Sequence, residues 1–119
     1  MAVRAVKAVT TNNGMKVWTW VALNEVGGVL DTGAPITTGN VDGLTVQGIG
    51  NYDTNAVITI QGSNDGTNWA TIASGTLVAA TTFRTIAERP LYIRPAVTTV
   101  GAGDATSVVV IMCGAVKRS

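Results

Sequence analysis

The chain has 119 residues, of which 46% are hydrophobic and only 13% charged, with a net charge of +1. That length makes one domain, able to bury about two-thirds of the surface its unfolded chain exposes, and the composition excludes both disorder and the basic excess of a general nucleic-acid binder. A surface so poor in charge resists self-association weakly, which suits a subunit of an assembly.

Residues 1–12 read as an extended N-terminal arm. Val3, Val6 and Val9 keep a spacing of three, not the strict period of two of a strand, over a run too short to establish a helix, so Val3–Val9 is either a short strand or an extended arm and is taken as the arm. The arm lacks the apolar stretch of about 7–15 residues that a secretory signal needs, and nowhere does the chain approach the ~18 apolar residues of a membrane span. Met15–Leu23 (M-K-V-W-T-W-V-A-L) alternates as a strand, with Val17, Thr19, Val21 and Leu23 on one face and Lys16, Trp18, Trp20 and Ala22 on the other. Both faces are largely apolar. Trp18 and Trp20 therefore either fill the core or are presented to a partner.

Gly27–Asn40 is dense in Gly, Pro, Thr and Asn and reads as a loop excursion. Val41–Ile49 resumes alternation, Leu44, Val46 and Gly48 opposing Thr45, Gln47 and Ile49, before a turn over Gly50–Thr54. Val57–Gln61 and Trp69–Ile72 flank Asp65-Gly66, which predicts an antiparallel hairpin closed by a tight type I′ turn, with Ile58 and Ile60 on the buried face. Thr76–Val78 and Phe83–Ile86 are short strands. In Leu91–Val97 (L-Y-I-R-P-A-V), Pro95 has no N–H to donate, which argues for an edge or a bulge. Thr106–Cys113 is a β-branched closing strand, after which 114–119 is a short basic tail. About seven to nine strands with turn signals roughly every ten residues predict an all-β fold, an antiparallel β-sandwich of jelly-roll kind, with a closed barrel as the alternative that spacing does not separate.

The chain contains no histidine, so the commonest general base and zinc ligand is missing, and its acids are scattered beside Gly and Asn, where turns explain them. No enzyme activity, cofactor or metal is expected. Asn51, Asp53 and Asn55, with Asn64, Asp65 and Asn68, are the one cluster of candidate calcium oxygens, but they lack EF-hand spacing and read as turn formers. Gly-rich Thr99–Gly103 precedes a strand, so it offers no helix N-terminus to a phosphate. Cys113, the lone cysteine, sits in an apolar run and reads as a buried thiol, in keeping with synthesis in a reducing cytoplasm. The partner-binding candidates are Val3, Arg4, Val6 and Lys7 in the arm, Trp18 and Trp20, Arg94, and Lys117 and Arg118 in the tail. Arg94 is expected to pair with a carboxylate such as Glu88 or to reach a neighbouring subunit.

Three stretches, Val57–Ile72 with G-S-N-D-G-T-N-W, Glu88–Thr98 (E-R-P-L-Y-I-R-P-A-V-T) and Gly101–Met112, resemble a group of small tailed-phage virion structural proteins encoded among head genes. The resemblance covers the C-terminal half. It implies a capsid cement or decoration protein, a jelly-roll sandwich on the capsid exterior that binds the major capsid protein and itself as a homotrimer or homodimer, with no nucleic-acid or membrane partner. Ser63–Trp69 is also similar to the hairpin of discoidin-type carbohydrate-binding modules, which would make Trp18, Trp20 or Tyr52 a sugar platform. A tail or baseplate component is a third expectation.

Overall fold

Alternation with a period of two decides where each strand goes. A computed structural model describes residues 3–23, 31–38, 41–49, 57–77, 82–86, 88, 90–99 and 108–116. These residues form eleven strands and no helix. Sheet A holds β1 (Val3–Arg4), β4 (Thr32–Gly33), β5 (Ile36–Thr37), β7 (Val57–Ser63), β8 (Ala70–Leu77) and β10 (Tyr92–Thr99), in the order β1-β4-β10-β7-β8 with β5 also on β10. Sheet B holds β2 (Val6–Thr10), β3 (Met15–Leu23), β6 (Val41–Ile49), β9 (Thr82–Thr85) and β11 (Val108–Val116), in the order β2-β3-β11-β6-β9. Every pairing is antiparallel except β1 with β4, so sheet A is mixed.

The two sheets bury one apolar core. Ile58, Ile60, Ile72, Leu77, Ile93 and Val97 come from sheet A, and Trp18, Trp20, Leu23, Val41, Leu44, Val46, Val110 and Met112 from sheet B. In β6 the alternation reads as expected, Leu44, Val46 and Gly48 buried against the more exposed Thr45, Gln47 and Ile49. In β3 the tryptophans point inward and Val17, Thr19 and Val21 outward. Leu23 departs from the simple alternation because the β3–β11 register shifts between Val108 and Val110, which returns its side chain to the core. Trp20 is fully buried, and its indole N–H donates to the Ala34 carbonyl at 2.9 Å, tying β3 to the other sheet. Gly33 makes this contact feasible: a Cβ there would lie 2.5 Å from Trp20 Cδ1.

Four expectations are corrected. The N-terminal arm is strand: β1 extends sheet A, and β2 pairs with β3 from Val6↔Trp20 to Thr10↔Lys16, with Val6 packed on the core. The reading failed because successive Val residues at a spacing of three serve two sheets, β1 in one and β2 in the other. The Gly27–Asn40 excursion contains β4 and β5, laid along β10, with Asp31, Thr32, Gly33 and Ile36 buried; its residues 27–30 and 39–40 lie outside the described set. Pro95 lies inside a strand paired on both sides, opposite Ile60. The Val97 N–H bonds to Asp31 O, so alternation aims the missing donor of Pro95 at the same side, where the ladder breaks between β4 and β5. Finally, Gly114–Val116, read as tail, completes β11. The turn expected over Gly50–Thr54 lies outside the described residues.

Candidate functional site

The hairpin β7–β8 forms as expected, but its closure is not a two-residue turn. Gly62 faces Ala70 in register, leaving Ser63–Trp69 to form a longer loop organised by side chains. The Ser63 hydroxyl accepts the N–H groups of Asp65 (3.2 Å) and Gly66 (2.9 Å) and donates to Asp65 Oδ1 (2.9 Å). Asp65 Oδ1 accepts the N–H groups of Thr67 and Asn68, both at 2.8 Å, while Oδ2 accepts from Asn68 Nδ2 at 2.6 Å. Gly66 supplies the left-handed backbone, φ +79°, that lets the chain turn beneath these bonds. The Asn68 and Thr67 N–H groups, then the Asn68 amide and the Ser63 hydroxyl, hold the Asp65 carboxyl well below the usual carboxylate range. With both oxygens engaged by donors, this carboxylate acts as the knot of a loop. Among the described residues no three His, Cys, Asp or Glu side chains converge as a metal site, and Asn51, Asp53 and Asn55 lie outside that set.

Beside the loop, Trp69 is half-buried under Arg94. The guanidinium carbon sits 4.1 Å from the indole centroid, and Nε donates to Gln61 Oε1 at 3.0 Å. Register explains the contact, since Arg94 faces Gln61 and Gln61 faces Thr71 across three strands. Partial burial pushes the guanidinium below its ordinary value, though an arginine stays cationic at neutral pH. Arg94 thus takes a ring and an amide in place of the expected carboxylate. An open hollow of about 580 Å³ next to the loop is lined by Asn64, Asn68, Thr71, Glu88 and Pro90 among others, with no aromatic ring among its described lining residues.

Of the other sequence-derived candidates, Trp18 and Trp20 are 2% and 0% exposed, so neither ring is available to a partner or a glycan; Tyr52 lies outside the described residues. Arg4 is ion-paired with the buried Asp31 at 3.3 Å, which fixes it to sheet A. Val6 is packed inward, whereas Val3 and Lys7 are exposed. Lys117 and Arg118 lie outside the described residues. Cys113 is half-buried on the outward side of β11, opposite Val17 and Thr45.

What sequence reasoning missed is the outer face of sheet B. Registered pairs align Lys7, Thr19, Ile111, Gln47 and Phe83 in one row across five strands, and Val9, Val17, Cys113, Thr45 and Thr85 in the next. Phe83 (66%), Val21 (54%) and Val9 (48%) are among the most exposed large apolar side chains of the described residues. Lys7 is the one cation in these two rows. The local signal was present, as the outward positions of β2, β3, β6, β9 and β11 are rich in Val, Ile and Thr, but only the strand order joins them into one surface.

No family model matches the sequence, and no curated protein matches it. Among solved structures, the chain is similar to the SPBc2 prophage-derived protein YomS, at 12% identity and a TM-score of 0.58, over 91% of this chain and 98% of that one. At that identity the likeness speaks to the fold: a β architecture shared almost end to end.

Proposed function

We propose that the chain is a non-enzymatic virion structural protein of a tailed phage, a capsid cement or decoration protein that binds the major capsid protein lattice and associates with its own copies. The observation that carries this is the exposure of apolar side chains on both sheets of a chemically plain surface. Val9, Val21 and Phe83 stand out from sheet B, and Val3 and Leu91 from sheet A or its approach. A protein that fastens a repeating lattice needs more than one adhesive surface, and repetition of modest contacts, each about 800 Å² on one partner, then resists internal pressure.

Two observations support the reading at the level of architecture. One fold-level neighbour is a prophage-derived protein. The eight strands β3, β4, β6, β7, β8, β9, β10 and β11, counted in order, are distributed as first, eighth, third and sixth in one sheet and second, seventh, fourth and fifth in the other. That alternation between sheets supports the jelly-roll reading, an architecture used by viral capsid proteins. The protein is synthesised in the host cytoplasm and resides on the capsid exterior. A tail or baseplate position would use the same surfaces at lower copy number, whereas the glycan reading loses its Trp18 and Trp20 platforms to the core.

Cosedimentation of purified protein with expanded capsids tests the proposal. Saturable pelleting with the shells, and no signal on a glycan array, is the expected result. Protein that stays in the supernatant over the whole titration overturns it.

A further inference from the structure

The outer face of sheet B mixes Val, Ile and Phe with Thr and Gln, carries one cation, Lys7, in its two central rows and one exposed acid, Asp42, opposite Ala115 beyond them, and sets Lys7 and Phe83 at opposite ends of one row. Lys7 is on edge strand β2, Phe83 is on edge strand β9, and each is two strands from central β11, which contributes Ile111 to the middle of the row. Phe83 is 66% exposed, a poor arrangement for a phenyl ring in a free monomer.

We propose that this face is a homodimer interface, in which a second copy packs its own sheet B against it about a two-fold axis running along β11, so that Lys7 of each chain lies over the partner's Phe83. The proposal deepens the self-association in the reading above and does not depend on the shell contact. Symmetry selects the arrangement. A face-to-face dimer has its two-fold axis in the plane of the contact. An axis across the strands, along the row, sets Lys7 against its own copy, like charge on like. An axis along the strands exchanges the two ends of the row and sets an ammonium over an aromatic face, which is attractive. Sheets stacked this way keep their strands within about 30° of each other, the common geometry of packed β-sheets.

Area points the same way. Five strands at ~4.8 Å spacing and about six residues at ~3.3 Å each make a face of roughly 24 by 20 Å, near 500 Å² in projection. Side-chain relief adds to that, so two faces bury upward of about 1,000 Å², the extent that a specific interface requires. With the cation of its central rows matched by a ring of the same surface, the face offers a second copy a complementary partner.

Sedimentation equilibrium of the full chain, with no capsid present, is the test. The wild type is expected at twice the 12.2 kDa chain mass. Phe83→Asp and Lys7→Glu are each expected to raise the dimer dissociation constant at least about tenfold, the equivalent of about 1.4 kcal/mol. Their thermal transitions should stay cooperative, because both side chains are exposed. The axis also brings Cys113 of the two chains face to face across sheets about 10 Å apart. A short bismaleimide should therefore link the dimer through Cys113, with the product lost in Cys113→Ser and reduced in Phe83→Asp. A wild type that stays monomeric at sub-millimolar concentration overturns the proposal, as does a trimer, or a dimer indifferent to both charge variants. A monomer that still pellets with capsids would overturn this interface and leave the cement reading standing.

Discussion

The outer faces of the two sheets solve the same problem differently. On sheet A, polar side chains are spent on one another: Arg94 on Gln61 and Trp69, Thr59 on Thr98 with hydroxyl oxygens 2.7 Å apart, and Asp65 on the loop that closes the hairpin. Thr59 and Ala96, both at outward positions, are 5% and 3% exposed. On sheet B, Val9, Val17 and Ile111 line up with Thr19 and Thr45, and the bulkiest exposed group is Phe83. The difference teaches that one face has found its partners within the chain, whereas the other leaves apolar side chains uncovered, as the proposed interface between copies requires. Buried polar groups must be hydrogen-bonded, whereas apolar groups need only cover, which a neighbouring molecule supplies equally well.

The comparison breaks most decisively at Trp20. If β3 is oriented as described, Trp20→Ala removes a fully buried indole and its bond to Ala34, at a cost of about 3–5 kcal/mol, a large share of a small domain's stability. Urea denaturation should show the midpoint falling sharply with the slope retained. A variant as stable as the wild type would mean that the tryptophans, not the valines, form the outer face of sheet B.

A smaller effect sharpens the account of sheet A. Arg94→Gln loses the cation from above Trp69 and is expected to cost about 0.5–1 kcal/mol, with a change in Trp69 fluorescence on the same titration. No change in either would show that this face is not held by its own contacts.

The smallest effect is a pH dependence. The Asp65 carboxyl titrates lower in the folded chain than in the unfolded one, so its contribution is fully present above the ordinary Asp range near pH 4. It is lost as pH falls through the depressed folded value. Asp65→Asn keeps an acceptor oxygen but not the charge, so it should lower the urea midpoint at neutral pH and flatten the acid limb of stability against pH. An acid limb identical to the wild type would remove Asp65 from the loop's anchoring.

Legibility in the sequence followed the locality of the forces. Strands β3, β6, β7 and β11 carry their pattern within nine residues or fewer, and were readable for that reason. Asp65-Gly66 marked the hairpin, but the loop's true length follows from Ser63 capturing two N–H groups, which competes with the tight turn. β4 and β5 were illegible because two-residue strands carry no period, and Gly33 is there to admit Trp20, not to make a turn. The Trp69–Arg94 stack and the rows across sheet B join residues far apart in sequence, and only register reveals them.

The central claim is that this protein acts as a repeated, chemically inert adhesive block on a shell. Quantitative mass spectrometry of purified virions from a phage that carries this gene tests it most directly. The account predicts a copy number of the same order as the major capsid protein; a handful of copies per particle, or none, would contradict it.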